Sequence, residues 1–253
     1  MYRPRIIPVL LLKNLGLVKS VKFKNHRYIG DPINAVKIFN DKKADELVFL
    51  DINASKENRL ISLDFVNKVG DEANMPFAVG GGIKSIKDIR SVLENGAEKV
   101  IINTAAYENP GFIKEAVDAF GSSTIVICLD VKKDFLGKYF PVYKQGKKKV
   151  REGVVELAQK MAQLGAGEII IQSVDRDGTY QGYDIDLIKL ISKAVTIPVV
   201  ALGGASNYND FNLAVKEGYA SAIAAGSIFV YHGPRRAVLI SFPNKKEITE
   251  IFY

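Results

Sequence analysis

The sequence predicts an α/β fold, a (β/α)8 TIM barrel built from two repeated half-barrels, and three observations predict it. Short apolar runs alternate with helix-period segments eight times along 253 residues, a length typical of one such barrel. A glycine turn at Gly80-Gly81-Gly82-Ile83 recurs at Gly203-Gly204-Ala205, 123 positions on. Glu46 and Glu168, and Thr104 and Ser227, repeat at nearly the same offset. Three correspondences in one order mark an internal duplication, with halves at about 1–121 and 122–253. No linker-like stretch parts them, since Ala119-Phe120-Gly121-Ser122 runs straight into a strand. One barrel domain over 1–253 is therefore expected.

The elements follow in order. Arg5 to Leu12 is a continuous apolar run, as a parallel strand buried on both faces requires. Lys13 to Asp31 is too long for a bare connection and carries Lys19, Lys22, Lys24, His26 and Arg27, so it reads as a basic lid loop. Pro32 to Asn40 is a helix with Ile33, Val36 and Phe39 on one face. Glu46 to Asp51 is strand two, and Arg59 to Val69 the next helix. Met75–Val79, Lys99–Asn103 and Thr124–Asp130 are strands three to five, with helices at Ser85–Glu94 and Pro110–Phe120 between them. Tyr139–Tyr143 and Lys147–Val150 flank Gln145-Gly146 as a β-hairpin. Arg151–Leu164 is a long amphipathic helix. Glu168–Ser173 is strand six, Asp184–Ala194 a helix, Pro198–Leu202 strand seven, Asn207–Lys216 a helix and Ala220–Ala225 strand eight. A short, poorly capped helix is expected over Pro234 to about Ile240.

Composition narrows the function. No apolar run approaches the roughly 20 residues of a membrane span, and the start lacks a signal-peptide pattern. Cys128 is the only cysteine, so no intrachain disulfide forms, which suits a reducing cytoplasm. The formal charge of +7 favours anionic partners, and phosphorylated or nucleotide-linked ligands fit it; no membrane and no nucleic-acid partner is expected.

In this fold the chemistry sits at the C-terminal ends of the strands. Gly81, Gly82, Asn103, Thr104, Gly203, Gly204, Gly226 and Ser227 all fall there. Glycines between a strand and a helix let backbone N–H groups approach an anion, and a helix N-terminus adds positive potential. Two such sites related by the repeat suit a ligand with a phosphate at each end. Many βα turns carry glycine merely to turn, and duplication alone would leave two similar loops. Asp51, Asp130 and Asp177 also stand at or just beyond strand ends.

At these residues the chain resembles the cyclase subunit of imidazole glycerol phosphate synthase. Arg5-Ile6-Ile7-Pro8, Val18-Lys19, Gly30-Asp31-Pro32, Ala44 to Ile52, Val79 to Ile83, Asp175-Arg176-Asp177-Gly178-Thr179 and Gly182-Tyr183-Asp184 match that family's pattern, over nearly the whole chain. The resemblance implies a glutaminase subunit docked on the bottom of the barrel, ammonia passing through it, and ring closure at the top. It implies that Asp130 is a catalytic carboxylate and that Lys19 clamps substrate, while Asp51 and Asp177, from their places at strand ends, are weaker candidates for ligand orientation. It implies an ammonia gate of Arg5, Glu46, Lys99 and Glu168 at the strand starts, and interface positions at Pro76, Glu98 and Phe120. No cofactor and no metal is expected.

The chain departs from that family at strand one. Leu11 stands where the family has a second aspartate, and leucine exchanges no proton. Leu202 replaces a small serine, and Lys13-Asn14-Leu15-Gly16-Leu17 departs from the family's loop. The altered segment is similar to paralogues associated with acetamidino modification of bacterial surface sugars, where the barrel provides ammonia to a separate sugar amidotransferase. Histidine-pathway cyclase and a non-catalytic phosphate-binding scaffold are the alternatives.

Overall fold

Eight parallel strands close on themselves in the computed structural model, which describes residues 3–253. Barrel strands one to eight are Arg5–Lys13, Leu47–Asp51, Phe77–Gly80, Lys99–Ile102, Ile125–Lys133, Glu168–Ser173, Val199–Leu202 and Ala222–Ala225. Each pairs in parallel with the next, and strand eight returns to strand one through Arg5↔Ala222. The apolar runs are continuous because both strand faces are covered, by helices outside and by packed side chains inside. The outer layer joins residues such as Phe49, Phe65 and Val66, with Phe49 and Phe65 edge-to-face at 5.3 Å. A separate inner cluster fills the lumen with Ile7, Val9, Val48, Val126, Ile170 and Val200.

Caps fix the helix starts. Asp31 accepts from the Asn34 N–H ahead of Pro32–Asp41, and Ser62 accepts from the Phe65 N–H ahead of Leu63–Glu72. The second helix therefore begins later than Arg59, because Ser62 supplies the acceptor that Arg59 cannot. Likewise Val154–Gln163 begins at Gly153 rather than Arg151, with Glu156 accepting from the Gly153 N–H.

Two expectations fail. Lys13 to Asp31 is not a loop: it forms strands Gly16–Val21 and Lys24–Gly30, an antiparallel extension of strand one. Pro234 to Ile240 is not helical. Tyr231–His232 and Ala237–Val238 pair as a short hairpin, and the last helix is Lys245–Phe252. Asn244 accepts from Lys246 and Glu247 N–H groups while Glu247 returns to the Asn244 N–H, a capping box. The expected hairpin after strand five is present as Tyr139–Tyr143 and Lys148–Lys149. Among the described residues no helix is long and apolar enough to cross a membrane.

Candidate functional site

A cavity of about 520 Å³ opens at the C-terminal ends of the strands, under the two long hairpins. Lys19, Asp51, Gly81, Gly82, Asn103, Thr104, Asp130, Asp177, Gly203, Gly204, Gly226 and Ser227 all line it. Closing the sheet thus gathers residues more than 200 positions apart into one wall.

Asp130 ends the inward-facing part of strand five and is buried. Its Oδ2 accepts from Asn103 Nδ2 at 3.1 Å, and Cys128 Sγ lies 3.8 Å from Oδ1. Burial pushes the carboxyl up to about 7, against the pull of the Asn103 and Cys128 hydrogen bonds. A carboxyl poised near neutrality can both take and give a proton. The Asn103 amide is occupied here and by Cys128 O at 2.9 Å, so its side chain positions Asp130.

Lys19 stands on the first hairpin and turns inward, buried, with Nζ donating to Val9 O at 2.5 Å. A Cβ at Gly226 would lie 2.2 Å from that Nζ, so glycine there admits the ammonium. Burial lowers Lys19 to about 8, while Asp177 pulls the other way. Asp177 accepts from Ser20 Oγ at 3.0 Å, and its own carboxyl is raised by burial. Asp51 is tied down more firmly. Its Oδ1 accepts from Asn53 and Ala54 N–H groups, and Arg59 Nη1 lies 2.6 Å from Oδ2. Arg59 is a contributor that strand-end reasoning misses, since it arrives from the following loop.

The glycine turns also have a reason inside the protein. A Cβ at Gly82 would lie 1.8 Å from Arg59 O, at Gly203 2.6 Å from Ser173 O, and at Gly204 2.2 Å from Gly182 O. All three have positive φ. Their backbones pack against neighbouring loops, and all three residues border the cavity.

The cavity floor is apolar. Leu11, Leu50, Ile101 and Leu202 line it beside Val9 and Cys128. Leu11 faces the cavity from strand one, paired with Val18 of the hairpin, so Asp130 meets no carboxylate from that side. Beneath the floor a chamber of about 10 Å³, near the size of one water, is walled by Ile7, Val48, Ala78, Val126, Ile170 and Val200. Ile101 borders both spaces, so one side-chain layer separates them.

Arg5, Glu46, Lys99 and Glu168 meet below that chamber. Arg5 pairs with both Glu46 and Glu168, and Lys99 Nζ lies 3.1 Å from Glu46 and 3.5 Å from Glu168. Glu46 and Glu168 are buried. Burial alone would lower Arg5, yet Glu168 and then Glu46 raise it. Two cations and two anions in a closed cycle satisfy one another, which is what buried ionised groups need.

The fold and the cavity at its strand ends define a (β/α)8 barrel with its functional face among the βα loops. Residues 5–234 match the family described as histidine biosynthesis protein, and the chain belongs to that family. It is 47% identical to the imidazole glycerol phosphate synthase subunit HisF of Thermococcus onnurineus, over 91% of each chain. The subunit of the same name from Pyrococcus furiosus is also 47% identical, over 90% of each chain. A Leptospira borgpetersenii protein that carries the HisF name provisionally is 44% identical over all of both chains. The chain is therefore HisF-like throughout its length.

Proposed function

We propose that the chain is the HisF-like subunit of a glutamine amidotransferase complex. It conducts ammonia from a glutaminase at the bottom of the barrel to the cavity at the top. There the ammonia serves acetamidino modification of a nucleotide-activated surface sugar. The observation that carries this reading is the closed ring of Arg5, Glu46, Lys99 and Glu168 directly below an apolar chamber that one side-chain layer separates from the cavity holding Asp130. Neutral ammonia crosses apolar space at far lower cost than an ion does. The ring bars water and ions, and parting one pair opens the lumen. In this reading Asp130 handles protons, Lys19, Asp51 and Asp177 orient ligand, and the glycine turns with Thr104 and Ser227 receive its anionic groups.

Leu11 supports the sugar pathway over the histidine pathway. Conduction needs the ring and the lumen, not a second carboxylate. The names of the relatives favour a second reading, cyclisation in histidine biosynthesis, to which Asp130 alone would then contribute the acid–base work. Rescue of a cyclase-deficient histidine auxotroph separates the two: growth supports the second reading, and failure to grow by a well-expressed chain supports the first. The channel itself is tested with Lys99→Ala and Glu168→Ala. Glutamine-dependent product, or its coupling to glutaminase turnover, should change while the reaction with added ammonium salts is largely spared. Equal loss with both donors would mean the ring only holds the barrel together.

A further inference from the structure

The charge of this molecule is distributed very unevenly. The three hairpin segments on the C-terminal side of barrel strands one, five and eight, 13–31, 131–151 and 231–240, hold 15 Lys and Arg against 2 Asp and Glu. The rest of the chain holds 20 against 26 and is net acidic. Lys144, Lys147 and Lys148 of the second segment line the cavity itself. The same hairpins carry large exposed apolar side chains. Phe135 is 95% exposed and Leu136 79%, side by side on the turn after strand five. Leu15 and Tyr28 are exposed on the first hairpin, and Leu239 follows the third.

The turn does not need those side chains. Its shape comes from Asp134, whose Oδ1 accepts from Leu136 N–H at 3.0 Å and Lys138 N–H at 2.9 Å. A phenylalanine and a leucine held in water on this turn, in a segment whose lysines outnumber its carboxylates even with Lys133 paired to Asp184 and Lys144 to Glu108, form an anchor for something apolar at its centre and acidic around it.

We infer that this crown of hairpins is the docking surface for the ammonia-consuming enzyme, a protein with an acidic face and an apolar recess for Phe135 and Leu136. The inference rests on the proposed function. Ammonia that reaches open water at neutral pH is mostly protonated, and ammonium is no nucleophile. A conducting barrel therefore needs its mouth covered by the consumer. The crown also repels ammonium, which keeps bulk cations out of the cavity and favours delivery of the neutral form. A membrane would offer an anionic and apolar surface too, but it would seal the mouth without supplying the acceptor.

The test uses the full chain with its glutaminase and the purified sugar amidotransferase of the same pathway. Two variants are compared, Phe135→Ser with Leu136→Ser, and Lys22→Glu with Lys24→Glu and Lys138→Glu. Each should weaken amidotransferase binding by ~10-fold or more, as loss of an interface anchor does, and leave glutaminase binding unchanged. Wild-type binding should fall as salt is raised. Binding insensitive to both variants overturns the proposal. So does binding to phosphatidylglycerol vesicles with none to the amidotransferase. Failure of the proposed function shows differently: no acetamidino product forms with any nitrogen donor, or ring variants leave glutamine-dependent transfer untouched.

Discussion

Asp130 carries its charge at a cost that pH can reveal. Its carboxyl sits near 7 in the fold against an ordinary 3.8. Between those values the unfolded chain has lost the proton and the folded chain keeps it, so folding is favoured at low pH. That contribution is lost as pH rises from about 4 to about 7, on the order of 4 kcal/mol. Lys19, lowered to about 8, acts in a separate window, and stability returns as pH rises above 8. Asp130→Asn keeps an acceptor for Asn103 and removes the first slope. We expect thermal melts of the variant to vary much less between pH 5 and 7.5 than those of the native chain. In the complete pathway ammonium-dependent product should fall by ~10²-fold or more if Asp130 moves protons. A flattened stability slope with undiminished product would leave Asp130 as a buried acid with no catalytic task.

Backbone conformation gives a second prediction at this scale. Gly82→Ala meets both a φ of +73° and the carbonyl of Arg59 at 1.8 Å, whereas Gly121→Ala, at +83°, meets open space. Strain alone costs about 1 kcal/mol, and overpacking adds ~1–3 kcal/mol. Urea midpoints should therefore fall clearly more for Gly82→Ala than for Gly121→Ala. Equal shifts would mean the loop carrying Arg59 gives way freely.

Among the elements, the first hairpin matters most because it carries Lys19 and Phe23 over the cavity. It is pinned to the loop after strand six: Ser20 Oγ donates to Asp177, Lys22 N–H to Asp177 O, and Gly178 packs against Ser20 O. Gly178→Ala would place a Cβ 2.2 Å from that carbonyl. Trypsin should then cut at Lys22 or Lys24 well before it cuts the native chain, with the barrel still folded by circular dichroism. Unchanged cleavage kinetics would mean the hairpin does not depend on this contact. The sequence hid this hairpin for a physical reason. Its turns run through Asn14-Leu15 and Lys22-Phe23, all with positive φ, where a hairpin usually advertises Asn-Gly or Asp-Gly. The second hairpin was legible because Gly146 marks its turn. The last helix has its signal in the capping box of Asn244 and Glu247, which lies downstream of the apolar run Ala237-Val238-Leu239-Ile240. The eight barrel strands, by contrast, were readable to within a few residues, because burial on both faces leaves continuous apolar runs. Of the site, strand-end residues were visible and Arg59 was not, since nothing in a loop arginine says which carboxylate it will meet.

At the scale of the whole molecule, the barrel has two faces with different demands. The ring lies at the bottom, so the proposed function places the ammonia source there, on the face made by strand starts and helix ends. Pro76 and Glu98 are exposed beside the starts of strands three and four, and Glu98 braces the sheet by accepting from Phe77 N–H at 2.8 Å. Phe120 ends its helix half-buried, with the Arg90 guanidinium 5.5 Å from the ring centroid. An apolar ring rimmed by charge suits a protein contact that excludes water at its centre. We expect the chain and its glutaminase to sediment as a 1:1 heterodimer. Phe120→Asp should raise the dissociation constant by ~10-fold or more, because it puts an unpaired charge where an anchor stood. Phe120 packs half-buried against the edge of the core rather than within it, so the variant's melting temperature should fall by only a few degrees. Separate sedimentation of the native proteins under all ligand conditions would remove the ammonia source, and with it the reason for a gated lumen. A heterodimer indifferent to Phe120→Asp would keep the source and move it elsewhere on the bottom face. The Phe135 and Leu136 variants should leave this sedimentation unchanged, which makes the two faces separable in one series of measurements.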